Sequence, residues 1–291
     1  CDGLGGAGAA ELISASGEKK TSAYFGANII HDYLIEQCNK NNSLLFEDHD
    51  QFTNELSELL QNEIKIFDSN TSGIISKKPS KLPSTFAGLK IKERDNNQLN
   101  VISLWAGDSR NYAMTIETGL EMCTIDDVKE QDPVELLISD SPMTNYINAE
   151  GKFIINKKNF KFNKPVILLS ATDGCFSYFP SPMHFEYILL QTLERSKDVD
   201  NWKINLQKEI ESVTQDDATL ALCAFGWNNF ATLKEAFRGK GQMIYDQFIK
   251  PNKEGISEIE RLKEELKKQE ELHQRKIYSG ISDYIKNRLK K

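Results

Sequence analysis

The chain has 291 residues, of which 39% are hydrophobic and 27% charged, and its formal net charge is −7. These values are ordinary for a globular protein with a buried core, and the negative charge argues against nucleic acid as the main partner. No apolar run approaches the roughly 20 residues that a membrane-spanning helix needs, so no membrane partner is expected.

The cysteines are scattered along the chain and odd in number: Cys1, Cys38, Cys123, Cys175 and Cys223. None of them forms a CxxC pair. This usage favours a reducing, cytoplasmic compartment over a framework of disulfides.

Apolar periodicity predicts the secondary structure in chain order. Helical spacing of apolar residues predicts helices at 21–38, 52–68, 183–195 and 201–212. Short apolar or alternating runs predict strands at 84–92, 99–107, 111–117, 166–170 and 218–225. Because helices and strand runs are segregated, the order favours an α+β fold of two stacked sheets flanked by helices.

Two stretches give weaker signals. Residues 119–164 are polar, with short apolar pieces and no long period, and are interpreted as a surface flap over a site. Residues 229–249 predict one or two short helices, and residues 256–291 predict a long charged helix whose apolar stripe is interrupted in the middle. That helix could dimerise as a coiled coil, pack back on the domain, or bind another protein.

Acidic residues occur at three places that are interpreted as strand ends, in CDGLGG (1–6), VILLSATDGC (166–175) and QDDATLALCAF (215–225). A strand end fixes a carboxylate while the adjoining loop leaves room for an ion and substrate. Carboxylates favour Mg²⁺ or Mn²⁺, and the histidines show no zinc-ligand spacing. Neither a C-x₅-R nor a G-x-S-x-G motif is present, so no protein nucleophile is expected, and Cys175 is interpreted as a small apolar side chain.

Five short motifs occur in the order of the blocks of the metal-dependent Ser/Thr protein phosphatases of type 2C: DGLGG (2–6), STFAG (84–88), WAGDSR (105–110), SATDG (170–174) and DDATL (216–220). CTIDD (123–127) and SPMTNYINA (141–149) resemble the stretch between the third and fourth blocks. The chain thus resembles this family, in its bacterial type, over residues 1–226. The resemblance implies a four-layer αββα sandwich of two antiparallel sheets between helices, with residues 227–291 as a helical C-terminal extension.

The resemblance also implies a reaction: hydrolysis of phosphoserine and phosphothreonine in proteins by a water that bridges two Mn²⁺ or Mg²⁺ ions. Asp2 would bridge both ions, the Gly3 carbonyl would bind the second, and Asp173 and Asp216 would complete the first. Asp108, with Asp173, would hold a third ion. Two alternatives remain. Asp108 is only a turn residue, or Asp217 rather than the adjacent Asp216 is the metal ligand. The phosphorylated protein substrate is expected to be a kinase or a kinase target.

The chain departs from the family pattern at three places. Leu4 stands where many eukaryotic members have a His that is a candidate general acid, so water would have to donate the proton. Asp217 makes a DD pair where the family has DN. The strand that precedes the first block in the family, with an Arg for the substrate phosphate and an acid for the second ion, is missing, so the sequence is expected to be a fragment of a longer chain.

A different class of function remains open, namely a catalytically weak or inactive module that binds a phosphoprotein or scaffolds a partner through the C-terminal helix. The joint presence of Asp2, Asp173 and Asp216 favours catalysis, because a scaffold has no need of all three.

Overall fold

The computed structural model describes residues 1–39, 49–70, 82–94, 97–129, 142–151, 153–251, 253–255, 257, 259 and 261–269. The chain divides into two compact units, Cys1–Arg238 and Gly239–Lys291.

The first unit contains all of the described strands and the longer helices. The strands are β1 (Asp2–Gly3), β2 (Glu11–Ile13), β3 (Lys19–Thr21), β4 (Ser84–Glu93), β5 (Gln98–Ala106), β6 (Arg110–Thr115), β7 (Gly119–Met122), β8 (Asn156–Asn163), β9 (Val166–Ala171) and β10 (Leu220–Phe225). The helices are α1 (Ser22–Asn39), α2 (His49–Asn70), α3 (Pro182–Arg195), α4 (Val199–Glu211) and α5 (Phe230–Ala236), and a 3₁₀ turn spans Asp173–Cys175.

The strands form two four-stranded sheets and one small hairpin. The first sheet has the order β1-β4-β5-β8, the second has the order β10-β9-β6-β7, and β2 pairs with β3. Every strand pair is antiparallel. Helices lie outside both sheets, so the predicted αββα sandwich is confirmed.

The inner core lies between the two sheets. Its buried members come from β5, β6, β9 and the segment after β7: Leu99, Val101, Ala113, Cys123, Val166 and Leu168. Apolar side chains of β4 and β8 pack against them from the first sheet. Removing each large apolar side chain from water contributes about 1.5–3 kcal/mol, so this layer holds the two sheets face to face.

Helix layers cover the outer faces. On the first sheet, α2 buries one stripe whose members recur every three or four residues: Phe52, Leu56, Leu60, Ile64 and Phe67. On the second sheet, the ring of Phe185 in α3 lies 5.7 Å from that of Tyr112 in β6. These contacts confirm the helices predicted at 52–68 and 183–195.

The interpretation of 119–164 as a flap was wrong at its two ends. Residues 119–122 form β7, and β8 adds a full strand to the first sheet, paired with β5 from Gln98↔Asn163 to Trp105↔Asn156. In β8 only Phe160 and Phe162 pack on the inner core, because the strand lies at the sheet edge and its other side chains are polar. Residues 130–141 lie outside the described part of the chain.

Helix α5 packs within the first unit. Leu233 is 5% exposed, the ring of Phe230 lies 6.1 Å from that of Trp202, and Lys234 Nζ donates to the Ser196 carbonyl oxygen at 2.9 Å. Residues up to Arg238 thus belong to the same compact unit as the sandwich. The predicted domain division after residue 226 stays a prediction about which part folds alone.

The second unit begins with α6 (Lys240–Ile244) and a π-helical turn (Tyr245–Ile249). Helical residues are described up to 269, and the remainder of the helix predicted at 256–291 lies outside the described residues. The coiled coil therefore stays a prediction. Within the described ranges, no helix has the length and apolar character to cross a membrane.

Candidate metal centre

Asp173 and Asp216 emerge at the same end of the second sheet. Ala171, the last residue of β9, is paired with Leu220, the first residue of β10. Asp173 follows the end of β9, and Asp216 precedes the start of β10. Because the end of one antiparallel strand lies beside the start of its partner, both acidic loops lie at the same end of the sheet.

Gly174 lets these two loops approach each other. A Cβ atom at this position would lie 2.3 Å from the backbone oxygen of Asp217. No L-residue with a side chain tolerates such a contact without moving the backbone, so the position requires glycine. The close approach holds the segment of Asp216 against the turn of Asp173.

Asp2 and Gly3 reach the site from the first sheet. Asp2 is paired with Thr85 and Gly3 with Ser84, and Ser84 Oγ donates to the Asp2 carbonyl oxygen at 2.8 Å. A Cβ at Gly3 would lie 2.7 Å from the carbonyl oxygen of Ala23 in α1. The backbone of both residues is therefore held from two sides, and the role of the Gly3 carbonyl as a ligand stays a prediction.

The carboxyl of Asp2 is buried close to two other acids. With the acids ionised, none can donate a hydrogen bond, and Asp2 Oδ2 is buried without a partner among the described residues. Burial, the hydrogen-bonding contact and charge of Asp173, and the charge of Asp216 raise the pKa of Asp2 to about 8. The structure thus brings Asp2, Asp173 and Asp216 within electrostatic reach of one another, and the positive charge of the amino terminus, which lowers the pKa of Asp2, does not outweigh burial and the two acids.

Asp108 belongs to the same electrostatic cluster through Asp173. Burial, followed by the charges of Asp173 and Asp126, raises the pKa of Asp108 to about 7, although Arg110 acts in the opposite direction. The role of Asp108 as an ion ligand stays a prediction, as does the alternative that it serves only its turn.

The backbone at Gly107 and a buried hydrogen bond position Asp108. Gly107 has a φ of 93°, a left-handed conformation that favours glycine. Ser109 Oγ lies 2.7 Å from Thr85 Oγ1, and Thr85 is the strand partner of Asp2. This hydrogen bond ties the loop that carries Asp108 to the strand beside Asp2.

Arg110 is engaged in the structure rather than directed toward a substrate. Its Nε donates to Asp126 Oδ1 at 3.0 Å, and its Nη2 donates to Asp126 Oδ2 at 2.6 Å. The guanidinium carbon lies 4.2 Å from the centre of the Phe176 ring. This planar, two-point ion pair anchors the loop after β7 to the start of β6.

Sequence reasoning did not single out Asp127, whose carboxylate joins three segments. It accepts hydrogen bonds from the Gly107 backbone at 2.9 Å, from Asn145 Nδ2 at 2.7 Å and from Asn156 Nδ2 at 2.8 Å. In the sequence, the only signal for Asp127 was the adjacent acid pair in CTIDD (123–127), and this motif does not indicate which residues the carboxylate contacts. Asp127 is therefore a positioning residue for the turn that carries Asp108.

Cys175 follows the site residues closely in sequence but is unsuited to nucleophilic attack. Its side chain is 1% exposed, and its Sγ donates to the Thr219 carbonyl oxygen at 3.3 Å. Burial raises the pKa of the Cys175 thiol to about 11. Because the thiolate is the nucleophilic form, burial and the raised pKa both disfavour Cys175 as a nucleophile at neutral pH.

The donor chemistry of the cluster fits a hard divalent cation. Carboxylate oxygens are the ligands that Mg²⁺ and Mn²⁺ prefer, and the unpartnered Asp2 oxygen offers one such ligand. Within the described ranges, however, no group of three or more His, Cys, Asp and Glu side chains is arranged as a complete ligand set.

No family model matches the chain, and no curated protein matches it in sequence. Solved structures do match in fold. A bacterial serine phosphatase matches with a TM-score of 0.52 and 13% identity over 76% of this chain and 91% of that chain. Serine/threonine phosphatase Stp1 from Staphylococcus aureus has a TM-score of 0.49 and 13% identity over 75% and 88% of the two chains. The catalytic domain of the phosphatase PstP, in complex with 2 manganese ions, has a TM-score of 0.39 and 14% identity over 58% of this chain and 65% of that chain. The first of these confirms the fold that the resemblance predicted.

Proposed function

We propose that this chain is a metal-dependent phosphatase that hydrolyses phosphoserine and phosphothreonine in proteins. The observation that carries the proposal is the convergence of Asp2, Asp173 and Asp216 at one end of the sandwich. The fold, which is that of a bacterial serine phosphatase, supports the same conclusion.

The acids have separate roles in this proposal. Asp173 and Asp216 would hold one Mn²⁺ or Mg²⁺ ion, Asp2 would bridge it to a second, and the Gly3 carbonyl would bind the second ion. Asp108 would share a third ion with Asp173. Such ions, when bound, supply Lewis acidity that activates water and offsets the charge of the phosphoryl oxygens.

The protein's own groups restrict the remaining steps. Leu4 follows the Asp2–Gly3 pair and has no proton to give, so the proton for the leaving serine or threonine oxygen comes from solvent. Arg110 is occupied by Asp126 and does not bind the phosphate. Substrate binding therefore depends on the centre itself and on protein contacts elsewhere, which suits a phosphoprotein such as a kinase or its target.

The proposal is tested by the hydrolysis of para-nitrophenyl phosphate by the full chain. Activity should appear with added Mn²⁺, disappear in excess chelator, and return when Mn²⁺ is restored. Cys175→Ala is the matched control and should keep both the activity and its dependence on metal. Full activity in chelator, or a loss of activity in the Cys175→Ala variant with metal binding intact, would show a different chemistry.

A further inference from the structure

We propose that a basic groove on the first sheet binds an acidic segment of a partner protein. The groove encloses about 500 Å³ at the ends of β4, β5 and β8. Its polar lining consists of Lys90, Lys92, Arg94, Asn100, Asn159 and Lys161. The inference does not depend on the metal centre or on catalysis.

The strand register places these side chains on one face. Lys92 is paired with Asn100, and Asn100 is paired with Lys161. Directly opposed residues of an antiparallel sheet point to the same side, so Lys92, Asn100 and Lys161 form a row across three strands. Lys90 begins the neighbouring row, opposite Ile102.

The helix layer covers only part of this face. Nearer the metal centre, Phe86 and Leu104 are buried in the core formed with α1 and α2, and Ile102 is partly buried against that core. Farther along the strands, Lys92, Arg94 and Lys161 are exposed. Arg94 is directed toward Asn100, whose amide oxygen accepts from its Nε at 3.0 Å when the amide is oriented to satisfy both groups.

The charge of the groove is concentrated and of one sign. Of the described residues that line it, four are cationic and none is acidic, in a chain whose net charge is −7. The nearby Glu93 forms an ion pair at 3.1 Å with Lys164. Lys164 is not among the residues that line the groove. Lys92 and Lys161 lie on the two sides of Asn100, and the repulsion between their charges is relieved when an anion lies between them. The groove is therefore complementary to a negatively charged ligand.

The surroundings favour a protein segment over other polyanions. The amides of Asn100 and Asn159 can both donate to and accept from a peptide backbone. Ile102 adds apolar surface to the lining on the same face. A long nucleic acid or an anionic membrane would extend beyond the groove and meet the negative charge of the rest of the chain. A short acidic segment avoids that repulsion.

The groove is remote from the acids of the metal centre. Lys92 lies seven residues along β4 from Thr85, the strand partner of Asp2. At roughly 3.3 Å a residue, this separation is about 23 Å. A bound segment would hold a partner protein on the phosphatase-like domain without contacting the metal centre.

The test measures the binding of a fluorescein-labelled peptide of alternating glutamate and leucine to the full 291-residue chain. The Glu peptide should bind, and a matched Gln–Leu peptide should not. The double variant Lys92→Glu/Lys161→Glu should weaken binding at least about tenfold, because it replaces attraction by repulsion. The variant Lys92→Gln/Lys161→Gln should give an intermediate loss and provides a second measurement if charge reversal impairs folding.

The control variant Lys197→Glu/Lys208→Glu makes the same change of net charge outside the groove, at exposed positions beside and in α4. It should bind the Glu peptide as the unmodified chain does. Equal losses in the groove variants and the control would overturn the proposal, since they would show a non-specific charge effect. Groove-dependent binding of duplex RNA or of phosphatidylserine vesicles in preference to the Glu peptide would overturn it as well.

Discussion

Gly174 and Asp217 touch across the two loops of the metal centre, and a Cβ at Gly174 would lie 2.3 Å from the Asp217 backbone oxygen. The contact joins the turn of Asp173 to the segment of Asp216, 43 residues later in the chain. The spacing of these acids thus depends on the absence of a side chain between them.

Gly174→Ala should therefore separate the two loops. We expect the free energy of unfolding to fall by about 1–3 kcal/mol, the range for an added group in a packed site. Affinity for Mn²⁺ should fall as well. Calorimetric titration and thermal unfolding measure the two effects. Gly255→Ala is the control, because no heavy atom lies within 4 Å of a Cβ built there. Unchanged Mn²⁺ affinity in Gly174→Ala would show that the contact does not set the site.

The Thr85–Ser109 hydrogen bond, at 2.7 Å, should be detectable as a coupling energy. Thr85→Val and Ser109→Ala each leave a buried hydroxyl without its partner, so each should cost about 1–3 kcal/mol of unfolding free energy. The double variant leaves neither hydroxyl and should cost less than the sum of the two. Urea unfolding of all four proteins measures the difference.

Thr118→Ala, which removes an exposed hydrogen bond to Thr115, is the control for that cycle and should change stability by less than about 0.5 kcal/mol. Strict additivity of Thr85→Val and Ser109→Ala would mean that the two hydroxyls do not act as a pair.

The stability of the metal-free protein should fall as pH rises. Burial and neighbouring charges raise the pKa of Asp2 to about 8 and that of Asp108 to about 7. Between the ordinary carboxyl pKa near 4 and these raised values, the folded state binds more protons than the unfolded state, so the free energy of unfolding falls as pH rises. The stabilisation is fully present below about pH 4 and is lost by about pH 8. Melting temperatures in chelator from pH 4 to 8 measure the trend.

Asp2→Asn should flatten that pH dependence, since it removes one of the two titrating groups. Glu58→Gln, which removes an exposed carboxylate from α2, is the matched control and should leave the slope unchanged. A melting temperature that rises steadily from pH 5 to 8 in the unmodified, metal-free protein would contradict the electrostatic account of the cluster.

Helix α5 should be needed for the full stability of the first unit. A chain ending at Arg238 keeps the buried Leu233 and the contact of Phe230 with Trp202, whereas a chain ending at Asn228 loses both. The shorter chain also loses the buried Phe237 and its contact with Trp227. The loss of two buried apolar side chains and two aromatic pairs predicts a destabilisation of roughly 4–8 kcal/mol. Thermal unfolding of the two chains measures it. Identical melts would instead support the domain division predicted after residue 226.

Amphipathic patterns were sufficient to predict the helices and the central strands. In α2 the stripe from Phe52 to Phe67 repeats with the helical period because one side packs on a sheet. In β8 only Phe160 and Phe162 face the core. Two apolar residues in an otherwise polar stretch were too few to distinguish a strand from a loop. A strand at a sheet edge has one covered face and little hydrophobic signal, which is why this one was missed.

The candidate acids could be named from short motifs, but their supports could not. Asp126 forms an ion pair with Arg110, and Asp127 binds the Gly107 backbone, yet both partners are distant in sequence. The same holds for the pairing of Thr85 with Ser109. Such contacts arise from the stacking of two sheets, and no local periodicity encodes them.

The most direct test of the central claim is the Mn²⁺-dependent release of phosphate from a phosphothreonine peptide by the unmodified chain and by Asp173→Asn, with Mn²⁺ binding measured on the same samples. Asp173→Asn removes a charge from the proposed ligand set without changing its shape. The account predicts weaker Mn²⁺ binding and a rate at least about 100-fold lower, equivalent to about 3 kcal/mol of transition-state stabilisation. Equal Mn²⁺ binding and equal rates in the two proteins would contradict the claim that these carboxylates form the catalytic centre.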